Sequence, residues 1–98
     1  GLAVKEFSVF AANYLWPKHT MADEELVIVI RLEPDREMDD ALRADIAARN
    51  QRLRNYKRIA GYLIHDRDFP RTASLKIKRT VLAEEIGRTH ARSEVVAV

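Results

Sequence analysis

The sequence predicts an α+β domain: a small, about three-stranded sheet with helices packed against it, in the order β-β-α-β-loop-α. Three observations lead there. A continuous β-branched run, ELVIVIRL, spans Glu25 to Leu32. A stripe with helical spacing follows from Met38, and apolar strand-like residues return in RIAGYLIH, Arg58 to His65. At 98 residues the chain is sized for one domain with a single core.

The first strand is expected over Val4–Ala11 (VKEFSVFA), where Phe7, Val9 and Ala11 alternate with more polar neighbours and form the apolar face. Asn13 to Glu24 reads as irregular because Pro17 cannot donate to a ladder, and Trp16, Pro17 and His19 are expected to fold back as a loop. Glu25–Leu32 has the composition of a central strand covered on both faces, and Pro34 closes it. Met38, Leu42, Ile46, Leu53 and Tyr56 then place an amphipathic helix over about 38–56, with Glu37, Asp39 and Asp40 at its positive end and Arg52 and Arg54 at its negative end. Strand Arg58–His65 contains Gly61, the mark of a bulge or a close backbone approach. Residues 66–79 read as loop. A short helix follows over Thr80–Thr89, with Val81, Leu82 and Ile86 inward and Gly87 as its stop, and residues 90–98 are expected to be a flexible tail.

Composition removes several function classes. There is no Cys, hence no disulfide scaffold, thiolate metal site or Cys nucleophile. Gly1, Gly61 and Gly87 are the only glycines, too few for a phosphate-binding glycine loop. The longest aliphatic run, Leu26 to Ile30, is far short of the ~20 residues of a membrane span. His19, His65 and His90 lie far apart in sequence, and His65 beside Asp66 and Asp68 lacks further ligands at recognisable spacing, so no metal site is expected. The chain opens on Gly1 and not Met, as a processed chain or a piece of a longer one does.

Charge is segregated. Residues 1–48 carry five basic and ten acidic side chains, whereas residues 49–79 carry ten basic side chains against Asp66 and Asp68. Such a block attracts phosphates or forms a solvated basic face. A basic nucleic-acid-binding module is the competing reading, along with a protein-interaction module, but only Tyr56, Tyr62 and Phe69 are aromatic within the block. Nucleic acid is therefore not the expected partner. Inside the block, Asp68-Phe69-Pro70-Arg71-Thr72-Ala73-Ser74-Leu75-Lys76-Ile77-Lys78-Arg79 sets Lys76 between two apolar residues. Alternation would turn Leu75 and Ile77 inward as anchors and project Lys76, a point charge suited to a phosphate or carboxylate oxygen.

These residues resemble the C-terminal lid domain of the AMP-forming acyl-CoA synthetases, within the adenylate-forming superfamily. Asn55-Tyr56-Lys57-Arg58-Ile59, a strand, and then FPRTASLKIKR with a short helix carry the resemblance, which runs from about Val4 to Ile86. Pro70, Thr72, Ser74, Lys76 and Ile77 match the superfamily motif Pro-x-Thr-x-Ser-Gly-Lys-Ile in register. Leu75 stands where most members have Gly, a replacement common in the long-chain fatty-acid ligase branch. The Gly-Glu turn usual between the first two lid strands is not legible in Tyr14 to His19, and neither the hinge motif nor the large N-terminal domain lies within this chain.

The resemblance implies a mobile domain, excised or free-standing, that partners a large N-terminal domain, with a carboxylic, fatty-type acid as substrate. It implies ATP and Mg²⁺ held mainly by that other domain, coenzyme A as co-substrate, and a cytoplasmic setting, at most peripheral to a membrane. Lys76 takes the role of the catalytic lysine of acyl-adenylate formation. Pro70, Thr72 and Ser74 support its loop, and Lys57, Arg58, Lys78 and Arg79 are candidates for phosphate or coenzyme A contacts. The domain alone is expected to be inactive.

Overall fold

The computed structural model describes residues 4–17, 25–53 and 59–97. Its elements are β1 (Glu6–Ala11), α1 (Ala12–Leu15), β2 (Leu26–Arg31), α2 (Asp40–Gln51), β3 (Ile59–Ile64), α3 (Arg79–Thr89), a single 3₁₀ turn (Arg92–Glu94) and β4 (Val96–Ala97). The α+β class holds, but the sheet has four strands in the order β1-β2-β3-β4. β1 and β2 are antiparallel, β2 and β3 parallel across α2, and β3 and β4 antiparallel.

β2 is the hub, because its unbroken aliphatic run can be buried on both faces. Val27 and Val29 share one core with Phe10, Leu63, Phe69 and residues of α1 and α3, including Leu15, Leu82 and Ile86. Ile28 and Ile30 point the other way, into a second core with Tyr62 and with Leu42 and Ile46 of α2. Burying each such side chain contributes roughly 1.5–3 kcal/mol.

In β1 the expected face is corrected. Ser8 and Phe10 are the buried residues, while Phe7 is 46% exposed. Phe10 lies in the core shared with α3, whereas Val9 packs, partly buried, against the core shared with α2. The irregular stretch after β1 begins with α1, and Trp16 does fold back, buried, its indole Nε1 donating to His90 O at 2.8 Å.

α2 starts where Asp39 Oδ1 accepts from Leu42 N at 2.7 Å, a side-chain cap on an otherwise orphan donor. It ends at Gln51, short of the expected Tyr56, which lies outside the described residues. Asn50 explains the early stop: its side-chain amide donates to Ile59 O at 2.8 Å and accepts from Ile59 N at 2.6 Å. The end of α2 is thereby tied to the start of β3.

Two glycines serve close approach. A Cβ on Gly61 would lie 2.6 Å from Val96 O and from Val95 Cγ1, so its absence admits β4, and the ladder to β2 slips beside it at Ala60. Gly87 does not stop α3, which runs on to Thr89; a Cβ there would lie 2.6 Å from Leu15 O. On α3 the buried set is Leu82, Ala83 and Ile86, and Val81 is 46% exposed, because Val81 falls off the stripe that Leu82 and Ile86 define. Within the segment expected to be a flexible tail, Arg92–Glu94 form the 3₁₀ turn and Val96–Ala97 pair with β3 as β4. Among the described residues no helix is long and apolar enough to cross a membrane.

Candidate functional site

Residues 70–78 form a small hairpin on the loop between β3 and α3. Arg71 and Ile77 make an isolated antiparallel bridge, Thr72 N donates to Lys76 O at 2.8 Å, and Lys78 N donates to Pro70 O at 2.8 Å. The tip is a turn closed by Leu75 N donating to Thr72 O at 2.9 Å. Leu75 then adopts φ 67°, the single positive φ outside glycine among the described residues. That left-handed conformation strains any residue with a Cβ and suits glycine.

Leu75 is 71% exposed, so it is not the expected inward anchor. The left-handed residue breaks strand alternation, and Ile77 alone packs against the core. Thr72 occupies the inner side of the turn, its Oγ1 accepting from Lys76 N at 3.2 Å and lying 3.1 Å from Ser74 Oγ. Lys76 and Lys78 are both exposed, and the Lys76 ammonium has no ion pair or hydrogen bond among the described residues.

The base of the hairpin is clamped to β1. Glu6 accepts from Phe69 N at 2.8 Å through one oxygen and pairs with the Arg71 guanidinium through the other. Arg71 Nη1 in turn donates to Leu75 O at 2.7 Å, linking the clamp to the strained residue. Asp68 receives Lys5 Nζ at 2.7 Å and Arg31 Nε at 3.3 Å. Hydrogen bonds from Lys5 and then Arg31 hold its carboxyl below the usual carboxylate range. Asp68 is thus engaged with Lys5, just before β1, and with Arg31 of β2.

The other cations proposed from sequence divide. Arg79 is engaged in the fold, its Nη1 donating to Ser8 Oγ at 2.6 Å and its Nη2 to Val9 O at 2.7 Å, with the guanidinium 4.4 Å from the centre of the Phe10 ring. These three contacts tie the start of α3 to β1. Lys57 and Arg58 lie outside the described residues. Part of the basic block is neutralised locally, Arg49 by Asp45 and Arg67 by Glu85.

One grouping departs from the sequence reading. His65, which follows β3, and His90, which caps α3, meet with His65 Nδ1 3.1 Å from His90 Nε2. Behind them His65 Nε2 lies 3.4 Å from Glu85 Oε2 and His90 Nδ1 lies 3.1 Å from Glu94 Oε1. Burial lowers the pKa of His65, against an opposing pull from Glu85. The Glu94 carboxyl is lowered first by the Ala91 backbone N–H and then by His90. Twenty-five residues separate the two rings, so spacing in the sequence gave no sign of their meeting.

Comparison of the chain with protein-family models, with curated proteins and with solved structures finds no match.

Proposed function

We propose that this chain is the mobile lid domain of an AMP-forming fatty-acid–CoA ligase, with Lys76 the catalytic lysine of the adenylation step. The observation that carries the reading is the conformation of Leu75. It stands where the resembling motif has Gly, and its φ of 67° is the one that a glycine there would take without strain. A motif match and an independently strained backbone at the same position support one another.

In such a ligase a carboxylate attacks the α-phosphate of ATP, an acyl-AMP forms and pyrophosphate leaves. Coenzyme A thiol then attacks the mixed anhydride, giving thioester and AMP. The first step brings two anions together while negative charge builds on phosphoryl oxygens. An ammonium set between them lowers that barrier and fixes the approach. Lys76 is suited to this work: it is exposed, it follows a rigid turn, and no described group competes for its charge. The clamp of Glu6 on Phe69 and Arg71 ties the base of the hairpin to the first strand. A lysine carried by a mobile domain completes the site only on closure, when water is excluded from the hydrolysable adenylate. Mg²⁺, ATP and the acyl chain would be held mainly by the N-terminal domain.

The test is complementation. The chain alone, given fatty acid and Mg-ATP, is expected to release no pyrophosphate. Mixed with or fused to the N-terminal domain of a long-chain ligase whose own lid has been removed, it is expected to restore adenylate formation, and the Lys76→Ala chain is not. Restoration equal with and without Lys76 would overturn the assignment.

A further inference from the structure

The four side chains Glu85, His65, His90 and Glu94 form a line with three polar gaps, of 3.4, 3.1 and 3.1 Å. Each gap lies between two atoms that carry lone pairs, so each needs a positive centre to be attractive. Two neutral imidazoles bring two protons. If these occupy the outer gaps, as Nε2–H of His65 toward Glu85 and Nδ1–H of His90 toward Glu94, the two inner nitrogens face each other with bare lone pairs. The inner gap then takes a third proton, making one ring cationic, or it takes a metal ion.

The inner gap has the dimensions for a metal. Two imidazoles on one tetrahedral zinc, with Zn–N of about 2.0–2.1 Å, place their nitrogens about 3.3 Å apart. The observed separation is 3.1 Å. Asp66 supplies a carboxylate oxygen, and the three donor atoms lie within 4.8 Å of one another. Asp66 is exposed, so its side chain has room to turn toward the two rings.

We propose that His65 Nδ1, His90 Nε2 and the Asp66 carboxylate form a binding site for a divalent transition cation of the zinc class. Water fills the fourth position, on the side where Asp66 and His90 open to solvent. Glu85 and Glu94 accept the outer N–H groups and so fix the tautomer and orientation of each ring, as carboxylates behind metal-bound histidines do. Both partners are themselves positioned: Glu85 by Arg67 at 3.7 Å, Glu94 by the Ala91 N–H. The backbone of His90 is held by the Trp16 indole, and that of His65 by its N–H donating to Ile30 O at 2.8 Å. The site is a staple: it joins the end of β3 to the segment that returns as β4. None of its residues belongs to the 70–78 hairpin, and the inference stands apart from the ligase reading.

The test is titration of the metal-free 98-residue chain with zinc chloride by calorimetry. Binding of one equivalent, with zinc-induced shifts of the His65 and His90 ring resonances, is expected. Glu94→Gln should weaken affinity by about 10–100-fold, Asp66→Asn by at least ~10-fold, and His19→Ala not at all. Cobalt in place of zinc should give the visible absorption of a four-coordinate ion. If the folded wild-type chain takes up no zinc at equimolar concentration, or if the shifts fall on His19, the site does not exist. Affinity unchanged in both Asp66→Asn and Glu94→Gln would overturn the assignment equally.

Discussion

Glu6 and Arg71, sixty-five residues apart, form an ion pair that fixes the base of the Lys76 hairpin to the first strand. The Glu6 side chain is only 8% exposed and holds Phe69 N as well. Glu6→Gln keeps the shape and removes the charge. It should cost about 1.5–3 kcal/mol, the range for a hydrogen bond to a charged group, measured by urea denaturation. Amide hydrogen exchange at Leu75 and Lys76 should speed up with it. Unchanged exchange there would show that the clamp does not hold the hairpin.

Leu75→Gly should leave the domain as stable as before or more so, by up to ~1 kcal/mol. The left-handed conformation costs an ordinary residue roughly 1–2 kcal/mol, and glycine returns part of that through its freer unfolded chain. The exposed Leu75 side chain has little burial to lose. Leu75→Val, β-branched, should instead destabilise. Thermal denaturation of both variants checks the pair, and a Gly variant that melts well below wild type contradicts the strain argument.

How much of this was legible beforehand follows from where each signal lives. The aliphatic run of β2 announces its own burial on two faces, and Leu42 and Ile46 announce the inner face of α2, because local periodicity is all that those elements need. β4 could not be read, since a two-residue strand has no period; it exists because Gly61 leaves room and Val95 packs on the core beneath. Likewise the hairpin residues could be singled out as a motif, but not the inversion of Leu75, which depends on a turn and not on alternation. His65 and His90 could not be paired at all until α3 was laid beside β3.

Gly61→Ala should detach β4. The new methyl group would meet Val96 O, a backbone atom with no rotamer to change. Overpacking of this kind costs about 1–3 kcal/mol. The loss should be confined to residues 91–97, read as faster amide exchange at Val96, with the β1-β2-β3 ladder protected as before. Uniform loss of protection across the sheet would mean that β4 is integral to the fold and not an added edge.

The central claim is that Lys76 serves adenylate formation, and separating the two half-reactions tests it most directly. If the proposed function is right, Lys76→Ala in a ligase carrying this domain should slow acyl-AMP formation from fatty acid and Mg-ATP by about 10²–10³, or roughly 2.7–4 kcal/mol of transition-state stabilisation. Thioester formation from preformed acyl-AMP and coenzyme A should be largely spared, because on the proposed function the lid rotates between the two steps and Lys76 leaves the phosphate before the thiol arrives. Lys78→Ala should affect either step much less. If the folded Lys76→Ala enzyme loses both half-reactions equally, or neither, the role given to Lys76 is wrong.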